Sequence, residues 1–186
     1  MIDEILQEVK AAMKKGLDAL RRDLAGIRTG RASTAMLDHV RIEYYGNQTP
    51  LNQAATISVP EPRLIVIKPW EQNLIPVIEK AILADSSLGL NPSNDGTIIR
   101  LPIPELTEER RIEITKVARH RGEDGKVAIR HARRDGLDLT AEAQKDGEVS
   151  EDEARHGQSE IQKLTDEYVV HIDEIIKHKE AEIMEV

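Results

Sequence analysis

Arg130, Arg133 and Arg134 are the residues of this chain whose type and spacing point most directly to chemistry. They lie in the run Arg130-His131-Ala132-Arg133-Arg134-Asp135. On a helix, residues three and four apart share a face, so Arg130 neighbours both Arg133 and Arg134. Guanidinium forks engage phosphate oxygens through paired N–H···O bonds, which makes the cluster a candidate contact for a nucleic-acid backbone. The competing reading is that Asp135 neutralises a neighbouring arginine. Charge around the cluster is uneven. Residues 110–134 hold nine Arg/Lys against three acids, a local +6, whereas residues 135–186 hold five against sixteen, a local −11. The net charge of −8 argues weakly against nucleic acid. Phosphate contact depends instead on where positive charge is focused. The acidic tail steers a protein partner, repels RNA from the wrong face, or is simply the solvated side of a helix. Arg28 and Arg31 are a second basic pair. They contact a partner or close against the acids at 105–109.

Other chemistries find little support. With no cysteine, disulfides, thiol nucleophiles and Cys-ligated zinc are excluded. The six histidines, His39, His120, His131, His156, His171 and His178, form no HExxH pattern; His171 and His178 are seven apart on one predicted helix. Gly122-Glu-Asp-Gly125 does not follow a strand as a phosphate-cradling loop does, and no Walker motif occurs. The carboxylates lack neighbours that would single out a general acid. No enzyme, catalytic residue, metal or cofactor is read here. Four aromatic residues and no phenylalanine leave little for base stacking, so RNA recognition would run through backbone and shape. Trp70, the only tryptophan, either anchors a protein contact or packs against its own domain.

The elements that must position these residues follow from composition. All eight prolines lie between Pro50 and Pro104. The first segment repeats Ile2, Leu6, Val9, Met13, Leu20, Leu24 and Ile27 at helical spacing, with Gly16 in the seam, and ends near Thr29-Gly30. A second helix runs from Thr107 to about Ala143, with Ile112, Val117 or Ala118, Ile129, Ala132, Leu139 and Ala143 as its core and a bend or loosened turn expected at Gly122–Gly125. Ser150 and Glu153 form a capping box that opens a third helix, with Ala154, Ile161, Leu164, Tyr168, Ile172, Ile175 and Ile183 inward. Three such stripes hide one another in a three-helix bundle; a homodimeric coiled coil is the alternative. We expect a monomer. Between the ends, alternation at Val40–Tyr44, apolar runs at 55–59, 64–67 and 97–101, and Pro76 opening a helix predict a small β/α/β body. The predicted fold class is α+β, with residues 1–29 and 106–186 forming a discontinuous bundle and 31–104 an inserted domain. Thr29, Gly30 and Arg31 on one linker, and Pro102, Ile103, Pro104 and Glu105 on the other, form a paired hinge over 29–31 and 102–106. Gly30 supplies conformational freedom there, and the prolines keep the return segment extended. No run of 18 apolar residues and no signal-peptide pattern occurs, so a cytoplasmic protein without membrane contact is expected.

These residues carry a resemblance. IRTGRAS at 27–33, PEPRLIVIKPWE at 60–71, LGLNPSNDGTIIRLPIPELTEERR at 88–111, VAIRHARRD at 127–135 and QKLTDEY at 162–168 stand in the order and spacing of bacterial ribosome recycling factors. The chain departs from the family's usual pattern at Thr34, Gly122, Gly125, His131 and Ala132. The resemblance implies a three-helix-bundle domain with a small β/α/β domain, L-shaped and like transfer RNA in outline. It implies recycling after translation termination: binding to the large ribosomal subunit, then splitting of the post-termination complex with elongation factor G and GTP, the partner hydrolysing the nucleotide. The family's helix arginines map onto Arg130 and Arg133, with Arg134 adjacent, and its RTGRA turn onto Arg28 and Arg31, all as ribosomal RNA contacts. A general RNA-binding or chaperone-like scaffold, independent of an elongation factor, is the alternative function.

Overall fold

The two proline-free ends of the chain form its three longest elements. The computed structural model describes residues 1–185. Helix α1 spans Ile2–Ala25, with Asp3 and Glu4 at its positive end and Arg22 in its last turn, as the helix dipole favours. Helix α3 spans Glu108–Lys145 and α4 spans Glu151–Met184. At ~1.5 Å per residue they are about 57 and 51 Å long. A tight reversal separates them. Gly147 has φ 75°, the left-handed conformation that ends a helix, and its N–H reaches back to Gln144. Ser150 then opens α4: its hydroxyl accepts from the Glu153 N–H at 3.2 Å, and the Glu153 carboxylate accepts from the Ser150 N–H at 2.7 Å.

The buried seam of α3 differs from the expected one. Ala118, Ile129, Ala132 and Ala143 face inward, but Ile112, Val117 and Leu139 are 45, 47 and 40% exposed. The inward face is completed by Ile114, Thr115, Gly122, Gly125, Gly136 and Thr140. At Gly122–Gly125 the α-helix is uninterrupted, so no turn is loosened there. Close approach explains the glycines. A Cβ on Gly122 would lie 2.6 Å from Ile176 Cγ1, and one on Gly136 would overlap Val9. Each glycine costs about 1 kcal/mol of helix propensity. That cost is offset by letting Val9 of α1 and Ile161 and Ile172 of α4 pack to 0–3% exposure. The hydroxyls of Thr140 and Thr165, also buried, donate to the carbonyls of Gly136 and Ile161 at 2.8 Å, so neither is left unsatisfied.

The middle of the chain makes its own core. Strands β1 (Arg41–Tyr44) and β2 (Asn47–Pro50) form a hairpin. Strands β3 (Ala55–Glu61), β4 (Leu64–Pro69), β5 (Ser93–Asn94) and β6 (Ile99–Pro102) form an antiparallel sheet in the order β3-β4-β6-β5. Strands β2 and β5, short and polar, carry no alternation by which to be read. Helix α2, Ile75–Ala84, starts with Pro76 in its first turn. Ile65, Ile67, Ile99 and Leu101 of the sheet and Ile78 and Ile82 of α2 are all at 0% exposure in one core. At roughly 1.5–3 kcal/mol for each fully buried aliphatic side chain, this is enough to hold a small domain. Two compact units result: Met1–Ile27 with α3 and α4, and Arg28–Thr107. Among the described residues, no helix is long and apolar enough to cross a membrane.

Candidate RNA interface

Helix α3 places Arg130, Arg133 and Arg134 around a shallow groove of about 310 Å³, completed by Val127, His131, Leu137 and Asp138. The inward seam of small residues fixes which way this surface turns: Ile129 and Ala132 are buried, so Arg130 and Arg134 point outward. Among the described residues, the three guanidinium groups make no hydrogen bond or ion pair, and Asp135 pairs with none of them. The Nε of Arg133 is buried without an acceptor. The Nε of Arg111, outside the cluster, is buried in the same way, so this feature is shared and does not by itself mark the groove.

Three other cations of α3 are already committed, whereas Arg111, Lys116 and Arg121 make no side-chain ion pair among the described residues. Arg110 pairs with Glu113 at 2.8 Å, Arg119 with Glu180, and Lys126 with Asp173 at 2.7 Å and Glu123 at 3.4 Å. The hydrogen bond to Asp173 raises the Lys126 pKa, against an opposing effect of desolvation. Such surface pairs add only ~0–1 kcal/mol each to stability. Their larger consequence is electrostatic: they offset the charge at those three positions, while 130–134 keeps three arginines close together on one helix.

The remaining sequence-predicted residues lie in the smaller unit. Arg28 donates through Nη2 to the Ser87 carbonyl, and Arg31 also has an internal partner. Glu105 pairs with Arg63 at 2.6 Å rather than with Arg28. Gly30 has φ 80°, with Leu106 packed beside it. The Ala32 N–H donates to the Pro62 carbonyl at 2.7 Å, and the Ile103 N–H to the Arg63 carbonyl at 2.8 Å. Pro102 belongs to β6 opposite Leu64, and Ile103 is 8% exposed. Thr29 and Pro104 complete these connecting segments, and the division between units falls just outside them, at 27/28 and 107/108. Trp70 is 60% exposed, its Nε1 donating to Thr56 Oγ1 at 3.4 Å, so its indole is not packed into its own domain.

One constellation has the residue types of a catalytic triad but not its order of hydrogen bonds. Asp85 accepts from Ser87 Oγ at 2.5 Å and lies 2.6 Å from His39 Nε2. The bonds to Ser87 and His39 lower the Asp85 pKa. The serine hydroxyl is spent on the carboxylate, so the imidazole cannot act as its base. No group of metal-ligating side chains occurs among the described residues. The sequence reading passed over Tyr45, which is 78% exposed with φ 50°. The available signal was a Tyr-Gly pair between two strands, at a turn that demands positive φ.

The model of the family described as "Ribosome recycling factor" matches residues 20–184. The ribosome-recycling factor of Desulforamulus reducens is 53% identical over 186 residues, covering all of both chains. A solution structure of a ribosome recycling factor superimposes with a TM-score of 0.78 at 40% identity, over 100% of this chain and 98% of that one. A second neighbour, at TM-score 0.65, 46% identity and full coverage of both chains, comes from models of the T. thermophilus ribosome recycling factor and the E. coli elongation factor G bound to the E. coli post-termination complex. With a family model matched over residues 20–184, across both units, and a relative 53% identical over the whole chain, the chain belongs to the ribosome recycling factor family.

Proposed function

We propose that this protein recycles ribosomes after translation termination. It binds the large subunit through ribosomal RNA and acts with elongation factor G to split the post-termination complex and release messenger RNA. The observation that carries this reading is the cluster of three uncommitted arginines around one groove of α3, in a chain of this family. Arg130, Arg133 and Arg134 provide the main phosphate contacts. Arg28 and Arg31, which already have internal partners, contribute less. The protein supplies no catalytic group, and GTP is hydrolysed by its partner. It works as a monomer, because the three helices of one chain bury one another's inward faces, and it acts in the cytoplasm, where bacterial ribosomes are. The linkers at 29–31 and 102–106 permit the two units to reorient during splitting.

The test is a subunit-splitting assay on post-termination ribosomes, with each component omitted in turn. Splitting is expected only when this protein, elongation factor G and GTP are all present. Binding to RNA without any dependence on the elongation factor would mark a general RNA-binding scaffold instead.

A further inference from the structure

Tyr45 occupies a position that local backbone chemistry disfavours. Tyr45 and Gly46 alone join β1 to β2, with φ values of 50° and 77°. Such a turn suits Asn-Gly; a bulkier residue in the left-handed region costs about 1–2 kcal/mol. Burial does not compensate, because Tyr45 is 78% exposed. The side chain is nevertheless held firmly. Its hydroxyl donates to Glu71 Oε1 at 2.8 Å, the Tyr44 hydroxyl donates to the same oxygen at 3.1 Å, and the two rings meet edge-on with centroids 4.5 Å apart. Both phenols are pushed up in pKa, Tyr45 chiefly by its bond to Glu71 and Tyr44 chiefly by desolvation, so both remain neutral donors at physiological pH. A strained, exposed and rigidified aromatic residue is a pattern found where a surface is used.

We infer that Tyr44, Tyr45 and Glu71 form a docking surface for a cationic segment of a protein partner, taking an arginine or lysine side chain against the rings and the carboxylate. The inference rests on the reading that this protein acts on the ribosome beside a protein partner. It locates a protein contact on the smaller unit. Aromatic faces attract cations, and Glu71 adds a full negative charge beside them. The same carboxylate repels phosphate. No arginine or lysine is bonded to the cluster to offset it, and the nearby Arg41 is directed to the carbonyls of Asp38 and Val40. The rings are already fixed, so little conformational entropy is lost on contact.

Photo-crosslinking from position 45 tests this. The full chain, carrying p-benzoyl-phenylalanine in place of Tyr45, is irradiated on post-termination ribosomes with elongation factor G and GTP. A crosslink to a protein is expected. A crosslink to ribosomal RNA, or none from a bound chain, overturns the inference. Two substitutions stand beside it. Tyr45→Asn suits the left-handed turn and should leave the melting temperature equal or higher. Glu71→Gln keeps an acceptor for both hydroxyls and removes only the charge. Each should raise the concentration for half-maximal splitting by about fivefold. If the hairpin is merely structural, or a nucleobase stacks on Tyr45, Glu71→Gln leaves splitting unchanged, and that result sinks the proposal. Failure of the unmodified chain to split ribosomes would instead remove the functional reading on which this surface rests.

Discussion

The two units hold their arginines differently. Every arginine of the smaller unit has an internal partner: Arg28 on Ser87, Arg41 on two backbone carbonyls, Arg63 on Glu105, Arg100 on Asp95, and Arg31 likewise engaged. On α3, Arg130, Arg133 and Arg134 have none among the described residues. The number of positive charges does not therefore mark an RNA-binding face. The proposed face is distinguished by three neighbouring arginines that folding has left uncommitted, since a guanidinium already satisfied must break a contact before it meets a phosphate. The cores differ too. The smaller unit is filled by isoleucine and leucine, whereas the bundle draws α1 and α4 onto a face of α3 made mostly of glycine, alanine and threonine, with Ile114 and Ile129 among them.

The largest expected effect tests the contrast in arginines directly. Replacing Arg130 and Arg133 together by alanine should weaken large-subunit binding about 100-fold, and should lower the slope of log affinity against log salt by about 1.5–2. Arg100→Ala in the smaller unit should stay within about twofold. Filter binding across a salt series, with thermal melts as a folding control, measures both. Equal losses from the two units would erase the distinction.

The contrast in packing comes next in size. Gly136→Ala places a methyl group against Val9 and Ile161. Overpacking of about 1–3 kcal/mol should outweigh the helix propensity gained, so the urea midpoint should fall. Gly16→Ala gives the opposite sign. A Cβ there meets Ala128 Cβ at 3.5 Å, an ordinary contact, so α1 should gain about 0.5–1 kcal/mol. If both alanines stabilise, the α3 seam is looser than its geometry indicates.

The smallest effect concerns acid. The Asp95 carboxylate accepts from the Ile98 and Thr97 N–H groups at 3.0 Å, from the Thr97 hydroxyl and from Arg100, and these bonds hold its pKa far below the usual carboxylate range. A group depressed on folding contributes stability that is present above the unfolded pKa, about 4, and is lost as pH falls below it toward the folded value. Asp95→Asn should therefore flatten the acid dependence of the smaller unit between about pH 5 and 2. Amide shifts of Thr97 and Ile98 during an acid titration read this locally. Those of α3 and α4 should not follow the substitution.

What sequence determined here was local. The confinement of proline to residues 50–104, the capping box at Ser150 and Glu153, and the triplet at 130, 133 and 134 each depend on neighbours within a few residues. Helix periodicity and cap chemistry operate at that range. Tertiary structure decided what long-range distances control. The inward face of α3 went to Gly122, Gly125 and Gly136 rather than to Ile112, Val117 and Leu139, because the seam follows the closest approach of Val9 and Ile176 from other helices. Commitment of charge was decided the same way. Arg119 finds Glu180, Lys126 finds Asp173 and Arg63 finds Glu105, each pair more than forty residues apart, while Arg130, Arg133 and Arg134 find no carboxylate. Basic residues are visible in a sequence; which of them folding leaves available depends on where distant acids come to rest.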